Sequence, residues 1–190
     1  MLIPIRRYPV PLTRQIRHLG MLLTLMVLIE IVNSLTGRAL SGLGILPRHP
    51  DSLWHIPFAP FLHANLWHLL SNLTMLTLFG LLLFQHGLAR FWLVTWTVTV
   101  LGGLGVWWFG RPAYHMGSSL LIFGYFGYLL LAGMLSRELK LLLISIGIGI
   151  VYGGLLLGVL PQQHWVSFEA HLFGFLAGLF SAVIMGRARS

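Results

Sequence analysis

Cysteine is absent from the 190-residue sequence, which excludes disulfide bonds, a thiolate nucleophile and any metal site built on cysteine. Charged residues are also scarce. They make up 8% of the chain, whereas a soluble domain carries about a quarter. Only four residues are acidic. The composition therefore excludes an ordinary soluble protein.

Long apolar runs are abundant instead, and 57% of the residues are hydrophobic. Six stretches are long enough, or nearly so, to span the hydrocarbon of a bilayer. The chain is therefore predicted to be an all-α polytopic membrane protein, a bundle of six transmembrane helices forming one domain. The six stretches are Leu19–Leu35, His63–Phe84, Phe91–Phe109, Gly117–Leu135, Leu139–Leu160 and Phe168–Gly186.

The net charge of +8 is distributed as expected for membrane insertion. With six spans, nine lysine and arginine residues fall on the side of the termini and three on the other side. Because positive charge collects on the inner side, both termini are predicted to be cytoplasmic. Residues 1–18 are predicted to form a cytoplasmic N-terminal segment, residues 19–186 the membrane domain and residues 187–190 a cytoplasmic tail. No A-x-A-like cleavage site follows Leu19–Leu35, so this stretch is expected to be an uncleaved anchor. No basic stripe interleaves with aromatic residues, so nucleic-acid binding is not expected.

A few strongly polar residues interrupt the apolar stretches. They are His63, His68 and Asn72 in the second stretch, Ser119 in the fourth and His171 in the sixth. All five are predicted near the outer ends of their spans, where they can meet in one cavity. Polar groups are costly in hydrocarbon and indicate function. A hydroxyl, an imidazole and hydrogen-bond donors are the groups that acyl transfer requires.

The spacing of these residues allows a structural interpretation as well. His68 and Asn72 are four residues apart and share a helix face, and polar pairs of this kind also join membrane helices. His171, Gly174 and Gly178 lie on one face, which favours close helix packing. Taken singly, these features are common in packed membrane helices.

Together the motifs resemble those of the rhomboid family of intramembrane serine proteases over roughly residues 58–186. The family pattern H-x-x-x-x-H-x-x-x-N corresponds to His63, His68 and Asn72. The pattern G-x-S-x corresponds to residues 117–120, and A-H-x-x-G-x-x-x-G to residues 170–178. The motifs occur in the family's order and on the corresponding spans.

The resemblance implies a role for each matching residue. Ser119 corresponds to the nucleophile and His171 to its general base in a dyad without a third acid. His68 and Asn72 correspond to oxyanion donors, together with the backbone N–H of Ser119. His63 corresponds to a structural position beside them.

Further positions near the site are also implied to be structural. Gly117, Gly174 and Gly178 match family glycines, and Phe123 occupies a place where many members carry a tyrosine against the catalytic imidazole. The resemblance further implies single-span membrane proteins as substrates, contact with lipid, no cofactor and no metal, a monomer, and the bacterial inner membrane as location.

Two departures from the family pattern leave alternatives open. Leu120 replaces the glycine that most members carry after the nucleophile, and we expect it to narrow the space beside Ser119. The loop Thr36–Leu62 lacks the Trp-Arg pair of many members. A catalytically impaired relative that binds transmembrane clients is therefore the second hypothesis. A transporter using the histidines is the third, although paired carboxylates and an inverted repeat are lacking.

Two acidic residues receive no catalytic role. Glu169 precedes His171 by two residues, so their side chains point apart on a helix, and it is interpreted as a loop or interface charge. Glu30, in the first span, is interpreted as a helix-packing or inner-side group. The metalloprotease motif H-E-x-x-H is absent from the sequence.

Overall fold

The computed structural model describes residues 10–161 and 166–187, and these confirm the all-α fold. Parts of the predicted N-terminal segment and tail, residues 1–9 and 188–190, lie outside the described residues. The α-helices are α1 (Leu12–Leu35), α2 (Leu66–Leu83), α3 (Leu88–Thr97), α4 (Gly103–Phe109), α5 (Ser119–Met134), α6 (Leu139–Tyr152) and α7 (Phe168–Arg187).

Short non-α segments extend or join these helices. A π-helical turn, Val98–Gly102, links α3 to α4, so that Leu88–Phe109 runs as one apolar rod. The 3-10 segments Phe84–His86 and Gly153–Val159 lengthen α2 and α6. Among the described residues the only β pairing is an isolated bridge between Ile45 and His115.

Five of the resulting segments are long and apolar enough to cross a membrane, and α5 is a shorter apolar helix. The positions agree with the six predicted stretches, although α1 begins at Leu12 rather than at Leu19. A continuous apolar run does not mark where a helix starts, because helix ends depend on local capping. The chain is thus a multi-pass membrane protein.

The second predicted stretch was wrong about His63, which lies before α2 and not on it. Asn65 adopts an extended backbone, and its side-chain oxygen accepts a hydrogen bond from the His68 N–H at 2.9 Å. This N-cap starts the helix at Leu66. His63 therefore belongs to the loop that enters α2.

Contacts between helix ends show that neighbouring rods alternate in direction. The end of α2 meets the start of α6, where the Lys140 ammonium donates to Gln85 at 2.7 Å. At the same end, Arg90 at the start of α3 donates to the Met185 carbonyl near the end of α7. The starts of α2, α5 and α7 consequently lie together at the opposite end of the bundle.

Helix α5 occupies the centre of the bundle, and nearly all its residues are buried. It packs most extensively on α7 and also on α6 and α2. By contrast α6 is largely exposed, as expected of a rod that faces lipid. The loop before α2 folds into three 3-10 turns (Ala39–Leu43, Pro50–His55 and Ala59–Phe61) over the end where α5 begins.

Candidate active site

Ser119 is the first residue of α5 and is 8% exposed. The preceding Gly117 has φ +121°, a conformation that side chains disfavour, and its turn leads the chain into the helix. Because the first amides of a helix have no intrahelical acceptor, the Ser119 N–H is available to another group. The nucleophile candidate thus stands at the positive end of a helix dipole.

His68 and Asn72 lie against the backbone of Gly117. A Cβ at position 117 would stand 2.9 Å from Nε2 of His68 and 3.4 Å from Nδ2 of Asn72. Both side chains come from one face of α2, as their four-residue spacing predicts. The two polar groups therefore reach the chain two residues before Ser119, and only glycine leaves them room there.

The hydrogen bonds of these two residues show which atoms remain available. Nδ1 of His68 accepts the Ala64 N–H at 3.5 Å, which places the ring proton on Nε2. The Nδ2 group of Asn72 is buried and has no hydrogen-bond partner among the described residues. Buried donors are seldom left unpaired, so an orphaned amide beside Ser119 indicates a site for a further acceptor.

His171 lies in the first turn of α7, stacked on Phe123. The two ring centroids are 4.0 Å apart and the planes differ by 7°. Its Nδ1–H donates to the Gly158 carbonyl at 2.9 Å, so Nε2 carries the free lone pair of the neutral imidazole. No direct hydrogen bond joins Ser119 to His171, both of which the structure describes. Phe123 is one turn beyond Ser119, so the imidazole lies along the helix face that carries the hydroxyl.

Glycines bring α5 and α7 into backbone contact below the site. A Cβ at Gly174 would collide with the Leu120 carbonyl, and one at Gly178 with the Gly124 carbonyl. A Cβ at Gly127 would lie 2.6 Å from the Phe175 carbonyl oxygen. The glycines predicted to allow close approach therefore occupy the contact between the two helices.

His63 fixes the residue before the nucleophile. Its fully buried ring accepts the Ser118 N–H at Nε2, at 3.4 Å, and the Ser118 hydroxyl is equally close. Burial lowers the pKa of His63 to about 3, and the nearby His68 adds to this effect while the Phe61 carbonyl opposes it. The imidazole is therefore neutral, and Ser118, with no exposed surface, is held away from the site.

Leu120 is buried beside the π-helical turn. A Cβ at Gly102 would lie 2.9 Å from Leu120 Cδ1, so the leucine side chain fills space that Gly102 leaves open. This environment explains how the chain accepts a large residue directly after Ser119.

Two buried carboxylates near the site form ion pairs that were not predicted from the sequence. Glu30 pairs with Arg38 at 2.7 Å, and Arg38 also donates to the His63 carbonyl at 3.1 Å. Glu30 is thus a buried group at the site end of α1, which agrees with its interpretation as a helix-packing group. Glu169 is buried and pairs with Arg111 at 3.4 Å. A single acidic residue in an apolar stretch was the available sequence signal for each pair. The basic partners could not be identified because they lie far away in the sequence or in loops.

Among the described residues no group of three or more histidine, aspartate and glutamate side chains could hold a metal ion.

Comparison with known proteins agrees with this geometry. The family model "Rhomboid domain" matches residues 50–188. The chain is 39% identical over 170 residues to "Uncharacterized protein Mb1372" of Mycobacterium bovis and to "Uncharacterized protein Rv1337" of Mycobacterium tuberculosis, covering 85% of this chain and 71% of each relative. A relative in Mycobacterium leprae, "Uncharacterized protein ML1171", is 37% identical over 172 residues, 86% of this chain and 68% of that protein. With its motifs, its helical bundle and these matches, the chain belongs to the rhomboid family of integral membrane proteins.

Proposed function

We propose that the chain is an active intramembrane serine protease that cleaves peptide bonds in or beside transmembrane segments by a Ser119–His171 dyad. One observation carries the proposal. Hydrogen-bond donors converge on the start of α5: Nε2 of His68, the Asn72 amide, which has no partner among the described residues, and the first amide of the helix itself. A purely structural contact between helices does not require hydrogen-bond donors at this position.

In this mechanism Ser119 Oγ attacks the scissile carbonyl carbon, and Nε2 of His171 takes the hydroxyl proton. The bond from His171 to Gly158 keeps the other ring nitrogen protonated, which leaves Nε2 able to act as base. Phe123 holds the ring plane by stacking. The imidazolium then gives its proton to the leaving amine, and water hydrolyses the acyl-enzyme by the same route.

Three hydrogen-bond donors are assigned to stabilise the negative charge that develops on the carbonyl oxygen. These are the Ser119 N–H, the Nε2–H of His68 and the Nδ2–H of Asn72. Preorganised donors of this kind contribute most when water is excluded, and the burial of Asn72 meets that condition. The neutral His63 and Ser118 hold the backbone that presents the first of these donors.

The substrates we propose are single-span proteins whose helices unwind readily near the site. A membrane helix satisfies its backbone internally, so a protease must first obtain an extended stretch. Helix-breaking or small residues reduce that cost. We also propose that the site opens to the outer face of a bacterial inner membrane, with both termini inside, as the distribution of basic residues indicates.

The direct test is cleavage of a model single-span substrate by purified protein in liposomes, alongside labelling by a serine-directed fluorophosphonate. Labelling should occur at Ser119 and disappear in Ser119→Ala, which should keep the thermal stability of the wild type. Cleavage that persists in Ser119→Ala would contradict the assignment of the nucleophile.

A second candidate is a relative without protease activity that binds transmembrane clients. Leu120 and the missing hydrogen bond between Ser119 and His171 favour it.

The Leu120→Gly variant distinguishes the protease from the client-binding protein. If the leucine blocks the site, the change should start hydrolysis in an inactive protein. If it shapes the site, the change should broaden the residues accepted beside the cut in an active one.

A further inference from the structure

A cluster of polar side chains joins the segment before α5 to the start of α7. His115 is buried, and its Nε2–H donates to the Arg111 carbonyl at 3.0 Å. The Ser167 hydroxyl therefore donates to Nδ1 of His115, at 2.6 Å. Ser167 also caps α7, since its Oγ accepts the Ala170 N–H at 3.2 Å.

A buried carboxylate makes the second connection between the same two segments. Oε1 of Glu169, in the first turn of α7, accepts the Arg111 backbone N–H at 3.2 Å and lies 3.4 Å from its Nε. The Arg111 guanidinium also donates to the Val166 carbonyl and lies over the Phe168 ring, 5.6 Å from its centroid. Arg111 thus contacts the start of α7 through its backbone and its side chain.

The opposite side of this segment is fixed to the loop before α2. The backbones of His115 and Ile45 exchange two hydrogen bonds of 2.9 Å, and the Gly117 N–H donates to the Ala59 carbonyl at 3.0 Å. The segment is therefore held on both sides: backbone hydrogen bonds join it to the loop before α2, and the side chains of Arg111 and His115 join it to the start of α7.

We propose that the side chains of Arg111, His115, Ser167 and Glu169 form a clasp that sets the start of α5 relative to α7. The inference rests on the proposed function, because the clasp acts by placing the nucleophile against its base. Ser119 follows His115 by four residues, and His171 follows Ser167 by four. Each half of the dyad therefore follows its half of the clasp closely along the chain. The glycine contacts set how closely α5 and α7 approach, and the clasp joins the residues that precede Ser119 to those that precede His171.

The clasp residues are positioning residues, so the test measures the reactivity of Ser119 towards a small reagent and needs no protein substrate. The rate of fluorophosphonate labelling at Ser119 is measured at several reagent concentrations. This gives the affinity for the reagent and the maximal labelling rate separately. Ser167→Ala and Glu169→Gln should each lower the maximal rate about tenfold or more, with reagent binding nearly unchanged, because small displacements of reacting groups are costly. Ser167→Thr keeps both the cap and the donor hydroxyl and should restore the rate to within about twofold of wild type.

Ser181→Ala is the matched control, because Ser181 is a buried serine of the same helix whose hydroxyl, among the described residues, bonds only the Ala177 carbonyl. It should label at the wild-type rate. If the folded Ser167→Ala and Glu169→Gln proteins also label at that rate, the clasp has no positioning role. A slow Ser167→Thr variant of wild-type stability would contradict it as well. If wild-type protein is neither labelled nor active, the proposed function fails instead.

Discussion

At the scale of single residues, both site histidines have one ring nitrogen committed to the backbone. Nδ1 of His171 bonds Gly158, and Nδ1 of His68 bonds Ala64. The carbonyl partner makes His171 a base at Nε2, whereas the N–H partner makes His68 a donor at Nε2. The backbone groups that the two imidazoles contact thus leave an acceptor at Nε2 of His171 and a donor at Nε2 of His68.

The oxyanion assignment leads to a prediction about Asn72. Asn72→Ala should lower kcat about 100-fold or more with little change in KM, because the amide acts on charge that exists only in the transition state. His68→Ala should behave alike. Steady-state kinetics on a model substrate measure both effects. A rise in KM at unchanged kcat would make these residues substrate-binding groups.

Gly117 is predicted to tolerate no side chain. Gly117→Ala should destabilise the protein by about 1 kcal/mol or more, since the backbone has φ +121°. It should also abolish labelling of Ser119, because the new Cβ would contact the His68 ring. Gly87→Ala is the control, as Gly87 has φ +103° with open space around it. Equal labelling in the two variants would show that only strain matters at position 117.

The residues of the candidate site could be proposed from the sequence because they belong to motifs with a defined spacing. The stacking of Phe123 on His171 also follows from its place one turn after Ser119. The pairing of Glu30 with Arg38 was not predictable. Arg38 turns back through a positive φ after α1, and a single sequence does not reveal which loop residue adopts that conformation.

At the scale of the helices, glycines let the backbones of α5 and α7 come into direct contact. The stability cost of replacing a glycine by alanine should therefore depend strongly on whether the glycine lies at this contact. Gly178→Ala should lower the stability by about 1–3 kcal/mol, because its Cβ would overlap the Gly124 carbonyl. Gly147→Ala in α6, where the space is empty, should be neutral or stabilising. Equal melting temperatures for the two variants in the same detergent would contradict the packing.

Helix positions were predictable from hydropathy, but helix ends were less so. Apolar residues lie on both sides of the first residue of α2. The predicted stretch, which follows hydropathy alone, therefore began too early, at His63. The capping bond of Asn65 decides the boundary, and it depends on one extended residue. The π-helical turn, which leaves room for Leu120, likewise has no signature in the hydropathy.

At the scale of the whole molecule, the end of the bundle that holds the site should respond to pH. Burial lowers the pKa of His115, chiefly by desolvation and also through Arg111, while the Arg111 carbonyl and Glu169 oppose the shift. The unfolded chain, with a histidine pKa near 6.5, therefore binds more protons. The free energy of unfolding should be level above about pH 6.5 and fall as the pH decreases below it.

Unfolding of wild type and His115→Gln between about pH 4.5 and 7.5 measures this effect. The decline towards acid pH should be shallower in His115→Gln, and it should not vanish, because His63 shifts in the same direction. A stability that increases as the pH drops below about 6.5 would contradict the sign.

The central claim, that Ser119 and His171 act as one unit, is tested most directly by a double-mutant cycle of peptide cleavage. Ser119→Ala, His171→Ala and the double variant should all have the same residual rate, because removing either half removes the function of both. Losses that multiply in the double variant would show that the two residues act independently and would contradict the dyad.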